Sequence, residues 1–270
     1  IDIQLSLVEE IEQERQVVSA NEEIIKVYES KITKILEDAG GGIVNLTLND
    51  NQEQLIKQLK EDFNSIESEV IGMMGNKGKF QEIIEISQQN SQISKNNSFW
   101  DFLKESYVAV MVSAVCRQID TDERSSSLVN LLKMILHNSS IVQSLNKDWY
   151  SQQYHREDDI LPGFMEGIGK KDFQKHFGSK EYLDPAIIYV DLKKLEDDTR
   201  EIKRYRNKRI AHRDKRENLV FNVNFNDLDK AVETIRAITS KYYLLLKQGS
   251  NNLIPTDQTD WQEIFTVPWI

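Results

Sequence analysis

Cysteine, proline and glycine are scarce in this sequence. Its 270 residues include one cysteine, four prolines and eleven glycines. Cys116 cannot form an internal disulfide, and its position in an apolar run indicates a small buried core residue. The shortage of helix-breaking residues predicts long, uninterrupted helices. We therefore expect an all-α protein, and the cysteine usage fits a cytoplasmic location best.

Long apolar runs are also missing. The longest, residues 107–116, is interrupted by Ser113 and is well short of the roughly 20 residues that cross a bilayer. It indicates a buried core helix, and no membrane partner is expected. Glu9, Glu10 and Glu12 stand where the apolar part of a secretory signal would lie, so no export signal is expected.

Several common site motifs are absent as well. The sequence contains no glycine-rich phosphate loop, no pair of CxxC motifs, no HExxH motif and no strand-rich stretch. These absences exclude most nucleotide, dinucleotide and metal chemistries. No cofactor and no metal ion are expected.

The charge of the chain is distributed unevenly. The net charge is −10, yet residues 200–216 contain nine lysines and arginines against Glu201 and Asp214, a local charge of +7. A local reversal of this size is typical of a surface that binds an anion. The basic segment is therefore the most distinctive chemical feature of the sequence.

The hydrophobic pattern predicts three parts: an amphipathic helical extension over 1–42, a helical bundle over 43–248 and a C-terminal tail over 249–270. Residues 11, 18, 25 and 32 are apolar at heptad spacing, which is typical of a coiled-coil-like helix that packs on a partner. In the tail, aromatic residues 261, 265 and 269 are expected to dock onto the bundle.

Within the bundle, apolar residues at spacings of three and four predict successive helices. One expected helix, 99–119, is apolar nearly all round, so it is predicted to be the central helix. Serine at 125 or 126 is expected to cap the helix that follows. The expected elements are 54–71, a break at 72–79, a short helix at 80–87, then helices at 99–119, 128–137, 187–213 and 226–247, with short helices and loops over 138–187.

The helix at 187–213 carries the candidate site. Its inward stripe begins with leucines and ends with Arg206 and Arg209. His212 can transfer a proton, Arg206 can clamp a phosphate bidentately, and Asn207 can orient either group. Lys208, Arg209, Arg204 and Arg213 would bind RNA electrostatically.

This set of side chains suits RNA cleavage by the substrate's own 2′-hydroxyl, which requires no metal ion. In an ideal helix, however, Arg206 and His212 lie about 9 Å apart along the axis and about 120° apart around it. They can converge if the helix distorts near residues 210–211, or if a second chain supplies the opposing pair. Anion binding without catalysis, and a solvated basic surface, remain alternatives.

The segment Arg206-Asn207-Lys208-Arg209-Ile210-Ala211-His212 resembles the signature of HEPN domains, which are helical-bundle ribonucleases of defence systems. With the segments 99–100, 116–120 and 126–132, it is similar to the abortive-infection AbiU-type branch over residues 52–247. The resemblance implies an antiparallel helical bundle and a homodimer with a composite cleft. It also implies metal-independent endoribonuclease activity that leaves 2′,3′-cyclic phosphate ends.

The implied role is that of a toxin in a toxin–antitoxin system or a factor in phage defence. Relatives that have lost catalysis bind only RNA or protein partners, and a non-catalytic module attached to a restriction or defence complex is the alternative. Residues 1–39 resemble the C-terminal tail helices of the modification subunit of type I restriction systems. That resemblance implies a fusion or remnant beside a restriction locus, with an antitoxin or restriction-system partner bound through residues 1–39. The heptads alone indicate only a coiled coil.

Overall fold

We analysed a computed structural model of the chain. It describes residues 50–89, 98–138, 145–154, 162–210, 224–247, 251–255 and 260–266, which all belong to a compact unit spanning residues 50–270. Within these ranges there is no β-strand, and the all-α helical bundle is confirmed. The predicted extension at 1–42 lies outside the described residues.

Seven α-helices make up the described fold, together with short 3-10 turns and one π-helical segment. The α-helices are α1 (Asp50–Gln89), α2 (Ser98–Gln118), α3 (Leu128–His137), α4 (Lys147–Ser151), α5 (Pro162–Phe177), α6 (Pro185–Tyr205) and α7 (Phe225–Lys247). The 3-10 turns are Gln152–Tyr154 and Trp261–Phe265, and the π-helical segment is Arg206–Ile210. Helices α1, α2, α3, α6 and α7 share one hydrophobic core.

Helix α1 corrects the prediction of a break at residues 72–79. It runs without interruption through Gly72, Gly75 and Gly78. A glycine inside a helix costs only about 1 kcal/mol relative to alanine, and burial of apolar side chains such as Val70 and Met73 offsets that cost. Propensity predicted a loop, and tertiary packing made a helix.

The glycine-rich part of α1 also receives the C-terminal tail. A Cβ atom at Gly75 would lie 3.2 Å from Cγ of Pro255, so the absent side chain gives the tail room to approach. Gln262 Nε2 donates a hydrogen bond of 2.7 Å to Glu82 Oε2. The tail thus contacts α1 through residues 255 and 262, and Trp261 lines a groove with α1 residues. Docking of residue 265 stays a prediction, and residue 269 lies outside the described ranges.

Helix α2 corrects a second prediction, because only part of its circumference is buried. Met111 and Val112 are fully buried, but Phe102 is 66% exposed and Val110 is 51% exposed. On its inner side, the Tyr107 ring stacks on Phe80 of α1 at 3.8 Å between centroids. Burial, with a smaller contribution from a nearby carboxylate, raises the pKa of Tyr107 to about 12. Helix α2 therefore packs on α1 and exposes a second apolar face.

Two carboxylates of α6 join it to α7. Asp191 accepts hydrogen bonds from Lys241 Nζ at 2.6 Å and from the Tyr242 hydroxyl at 3.0 Å. Asp198 accepts one from the Thr234 hydroxyl at 2.7 Å. These contacts fix the position of α6, the helix that leads into the basic segment.

The start of α7 and the cap of α3 differ slightly from the predicted ones. Helix α7 begins one residue early, where Asn224 and Asp227 exchange side-chain to backbone hydrogen bonds. Helix α3 is capped by Ser127, whose hydroxyl accepts from Asn130 N at 3.1 Å. That hydroxyl also donates to the Asp120 carbonyl, which draws the α2–α3 turn together.

No α-helix within the ranges given above is long and apolar enough to cross a bilayer.

Candidate functional site

The basic segment begins where α6 changes its hydrogen-bond pattern. The Arg206 N–H bonds the carbonyls of both Ile202 and Lys203, and Arg206–Ile210 then continues as a π-helix. Single π turns within helices are rare and occur frequently at functional sites, because the widened turn redirects the side chains that follow. The sequence left open a distortion near residues 210–211, and the structure has one that begins four residues earlier.

Arg206 and Asn207 are in direct contact in this segment. Arg206 Nη1 donates a hydrogen bond of 3.0 Å to Asn207 Oδ1, and both side chains are exposed. Two of the three predicted catalytic residues are therefore together. His212, Arg213 and the side chain of Arg209 lie outside the described residues.

A polar groove of about 370 Å³ lies beside Arg206, between α2 and the end of α6. We call it the Arg206 groove. It is lined by Ser113, Cys116, Arg117, Ile119, Asp120, Thr121, Lys203 and Arg206. Arg117 is paired with Glu69 of α1, and the remaining two cations, Lys203 and Arg206, outnumber the one carboxylate, that of Asp120. The groove is therefore suitable for an anion such as a phosphate.

Cys116 was predicted to be a small buried core residue; it packs against the core but also forms part of the groove wall. It is half-buried. Burial raises the pKa of its thiol, although the positive charges of Arg206 and Lys203 act in the opposite direction. Cys116 therefore contributes a neutral thiol to the groove.

Asp120 is held by its own turn. Its carboxylate accepts hydrogen bonds from the Asp122 N–H at 3.1 Å and from the Ser125 hydroxyl at 3.0 Å. The Asp122 N–H makes the largest contribution to a lowered pKa of Asp120. The carboxylate is thus ionised at neutral pH and is engaged in stabilising the α2–α3 turn.

Arg117 extends from the groove to α1. Its Nε donates to Glu69 Oε1 at 2.9 Å, and the neighbouring Gln118 Nε2 donates to Glu69 Oε2 at 2.7 Å. Asp120 contacts the Ser125 hydroxyl within its own turn. Arg117 is paired with Glu69 of another helix.

The remaining predicted RNA-binding residues lie apart from this groove. Arg204 is 58% exposed, with its guanidinium 3.7 Å from Glu201, and Lys208 is half-buried. Neither lines the Arg206 groove.

Sequence reasoning missed Lys203 and the contribution of α2. A detectable signal was present, because Ser113, Cys116, Arg117 and Asp120 have the spacing of one helix face in an otherwise apolar helix. Their proximity to Lys203 depends on how α2 packs against α6, which no spacing within one helix reveals.

In the ranges that the structure describes, no group of three or more His, Cys, Asp or Glu side chains is arranged to hold a metal ion.

The helical bundle, with a π turn that carries an Arg-Asn pair beside a cationic groove, corresponds to a HEPN-type domain. A family model of the HEPN class, described as AbiU2, matches residues 56–264. The chain therefore belongs to the AbiU2 family of HEPN proteins. No protein with a curated description and no solved structure matches it. The family match begins after residues 1–39 and leaves their resemblance to restriction subunits untested.

Proposed function

We propose that this protein is a metal-independent HEPN endoribonuclease that acts in phage defence or as a toxin. The observation that carries the proposal is the Arg206–Asn207 pair on the rim of the cationic Arg206 groove, in a chain of the AbiU2 family. A groove with a net positive charge suits the phosphate backbone of RNA.

Each proposed catalytic residue has a distinct role. Arg206 holds the scissile phosphate and stabilises the charge that develops on it. His212 transfers protons, either from the attacking 2′-hydroxyl or to the departing 5′-oxygen. Asn207 orients the guanidinium through its 3.0 Å hydrogen bond. The bond that forms joins the 2′-oxygen to phosphorus, and the bond that breaks releases the 5′-oxygen, so the products carry 2′,3′-cyclic phosphate and 5′-hydroxyl ends.

The proposed active unit is a homodimer. Phe102 and Val110 expose apolar surface on α2, and helical spacing continues this face towards Ser113 and Arg117 in the Arg206 groove. Exposed apolar surface of this kind is typical of a protein interface. A second copy on this face would bring its own Arg206 and His212 to a shared cleft.

We propose a separate role for the N-terminal part. Residues 1–42 form a helical extension whose heptad face binds an antitoxin or a restriction-system partner. In the same proposal, the helical bundle covers residues 43–248 and the tail covers residues 249–270.

Cleavage of total RNA and tRNA by the purified full-length protein in EDTA tests the nuclease. Wild type should cleave and His212→Ala should not. The products should carry 2′,3′-cyclic phosphate, and a substrate with 2′-deoxyribose at the cut site should resist. Cleavage that EDTA stops, or equal cleavage of the 2′-deoxy substrate, contradicts the mechanism. Tight RNA binding without cleavage would instead support a non-catalytic RNA-binding module.

A further inference from the structure

A second groove adjoins the Arg206 groove. It has a volume of about 510 Å³ and lies between α3 and α6. We call it the Tyr189 groove. It shares Ile119, Thr121 and Lys203 with the Arg206 groove, so the two grooves are adjacent. One extended ligand could contact both.

The walls of the Tyr189 groove are mainly apolar. Val129 and Leu136 of α3 face Leu192 of α6 across it, and Tyr189 stands at one end. Tyr189 is 64% exposed, although its side chain is a large aromatic group. An exposed ring beside an apolar wall is a suitable stacking surface for a flat, uncharged ring.

The rim of the same groove is cationic. Lys133, Lys193, Arg200 and Lys203 line it together with a single carboxylate, that of Glu196. Lys193 lies 3.7 Å from Glu196, and both Lys193 and Arg200 contact the nearby Asp197 carboxylate. Among the residues that the structure describes, Lys133 and Lys203 therefore account for most of the positive charge that no carboxylate offsets, one on each side of the groove.

The groove is long enough for several nucleotides. Tyr189 and Lys203 are separated by fourteen residues of α6, which corresponds to about 21 Å along the helix axis. The apolar walls and the two lysines favour a ligand that combines flat apolar groups with negative charges. Single-stranded RNA has this pattern, because its unpaired bases can stack on aromatic rings while its phosphates meet lysines. The bases of double-stranded RNA are stacked on each other and unavailable to Tyr189.

We propose that the Tyr189 groove is a nucleobase-binding subsite for single-stranded RNA, several nucleotides to one side of the phosphate held at Arg206. The inference rests on the proposed nuclease function and specifies its substrate as an unpaired strand. Tyr189 stacks on a base, Lys133 binds a phosphate, and Lys203 binds the strand where the two grooves meet. An amphipathic protein helix would fit the apolar walls, but the adjacent cationic Arg206 groove favours RNA.

Binding measurements test this subsite without cleavage. The full-length protein with His212→Ala is titrated, by fluorescence anisotropy, into labelled oligoadenylate of about 12 nucleotides and into an abasic ribose-phosphate strand of equal length. Both probes carry the same charge, and only the first has bases. A base subsite should make oligoadenylate the tighter ligand by at least tenfold, in keeping with the contribution of base–aromatic stacking.

Substitution of Tyr189 gives the decisive comparison. Tyr189→Ala should weaken oligoadenylate binding about tenfold and leave the abasic strand unchanged, whereas Tyr189→Trp should retain affinity. Tyr182→Ala is the matched control, because Tyr182 is also an exposed tyrosine, 42% accessible, and lies outside the groove. Equal affinity of Tyr189→Ala and its parent for oligoadenylate overturns the proposal.

Lys133 should behave differently from Tyr189. Lys133→Ala should weaken both strands similarly and reduce the salt dependence of binding by about one counterion. Lys57→Ala, at a lysine that is 78% exposed on α1, is the matched control. A base-dependent effect of Lys133→Ala would contradict the assigned phosphate contact.

The two levels of the proposal fail in distinguishable ways. If the wild-type protein cleaves RNA and Tyr189→Ala changes neither binding nor cleavage, the nuclease stands and the subsite is wrong. If Tyr189 controls oligoadenylate binding but wild type cleaves nothing, the subsite stands and the nuclease is wrong. If Tyr189→Ala leaves the RNA affinity unchanged but prevents binding of a protein partner, the groove is a protein-binding site and the proposed nucleobase subsite is wrong.

Discussion

Helix α6 and the π-helical segment that continues it differ in their surroundings. From Asp191 to Ile202, its inner face is buried in the core and anchored to α7 by two carboxylates. From Arg206 onward, the helix becomes a π segment with exposed polar side chains beside a groove. One end is fixed by buried contacts, and the other presents cations to solvent.

The contrast shows how a stable bundle can support a charged site. Positive charges that converge on a groove repel each other and add little to stability. The anchored part of α6 therefore has to position Arg206 through contacts that do not involve the groove itself. Precise sites are commonly supported in this way, by rigid elements that hold the functional side chains. Substitutions in the two parts should thus have different consequences.

The largest expected effect belongs to the exposed end. Arg206→Ala should lower RNA cleavage by about 10²–10³-fold, because transition-state charge loses its main donor, while thermal unfolding stays unchanged. Arg206→Lys should recover little activity, since a point charge cannot replace the bidentate guanidinium. Gel assays and melting curves measure both. Arg124→Ala, at an arginine that is 88% exposed, is the control. A large drop in melting temperature for Arg206→Ala would remove the contrast.

Substitutions in the anchored part of α6 should lower the free energy of unfolding. Asp191→Ala leaves Lys241 and the fully buried Tyr242 hydroxyl without their acceptor. The free energy of unfolding should fall by about 3 kcal/mol, as is typical when one member of a buried ion pair is removed. Urea denaturation measures this change. Asp197→Ala, at an exposed carboxylate on the same helix, should cost less than about 1 kcal/mol. Equal costs for the two variants would show that Asp191 is not an anchor.

The proposed dimer gives the next effect. Phe102→Asp places a charge on the exposed apolar face of α2, so it should raise the dimer dissociation constant about 100-fold, corresponding to roughly 2.7 kcal/mol. Sedimentation velocity at micromolar concentration should then detect monomers, and cleavage should fall in parallel. Phe164→Asp, at a phenylalanine that is 65% exposed on α5, is the control. A monomeric wild type with full activity would exclude a shared cleft.

Asp198 predicts a pH dependence for the anchored part. Burial tends to raise the pKa of this carboxyl, but hydrogen bonds from Lys194, Lys230 and Thr234 outweigh it and lower the pKa to about 2. Because the folded-state pKa is depressed below the unfolded value of about 3.9, the contribution of Asp198 is complete above pH 4–5. It is lost as the pH falls towards 2, and it amounts to about 2 kcal/mol.

Asp198→Asn should therefore be less stable than wild type at pH 7, and the difference should shrink as the pH falls from 4 to 2. Urea denaturation at several pH values measures the difference. Asp197→Asn, at a more exposed position, should have a smaller and flatter pH profile. A constant difference for Asp198→Asn across this range would contradict the depressed pKa.

The smallest effect is expected at Arg117, which contacts Glu69 at the border between groove and bundle. The pair is exposed, so Arg117→Ala should lower the melting temperature by only about 2 °C. We predict that Arg117 has a structural role. The specific activity of Arg117→Ala, measured below the melting transition, should therefore stay close to that of wild type. If activity falls tenfold while the melting temperature is unchanged, Arg117 belongs to the substrate-binding residues.

The sequence was sufficient for the fold class and for the family. Hydrophobic spacing predicted the helix at 128–137 at its observed bounds, because the buried residues of one helix recur along one chain segment. The Arg206–His212 segment likewise indicated the HEPN class, which the family match confirms. Helix bounds and short motifs can be predicted from the sequence because both depend on residues that are close together in the chain.

Other features depend on contacts between distant segments. Packing of one face of α1, with Val70 and Met73 buried, decided that the helix runs through its glycines. The packing of α2 against α6 brought Cys116 and Lys203 to the same groove. Helical periodicity predicts neither feature, because it indicates which face of a helix is apolar but not which other helix packs against that face. The sequence by itself determined an all-α bundle of the HEPN class with an arginine-rich segment. Only the tertiary structure decided which side chains surround Arg206, because the relative rotation of two helices is set by the packing of their buried side chains.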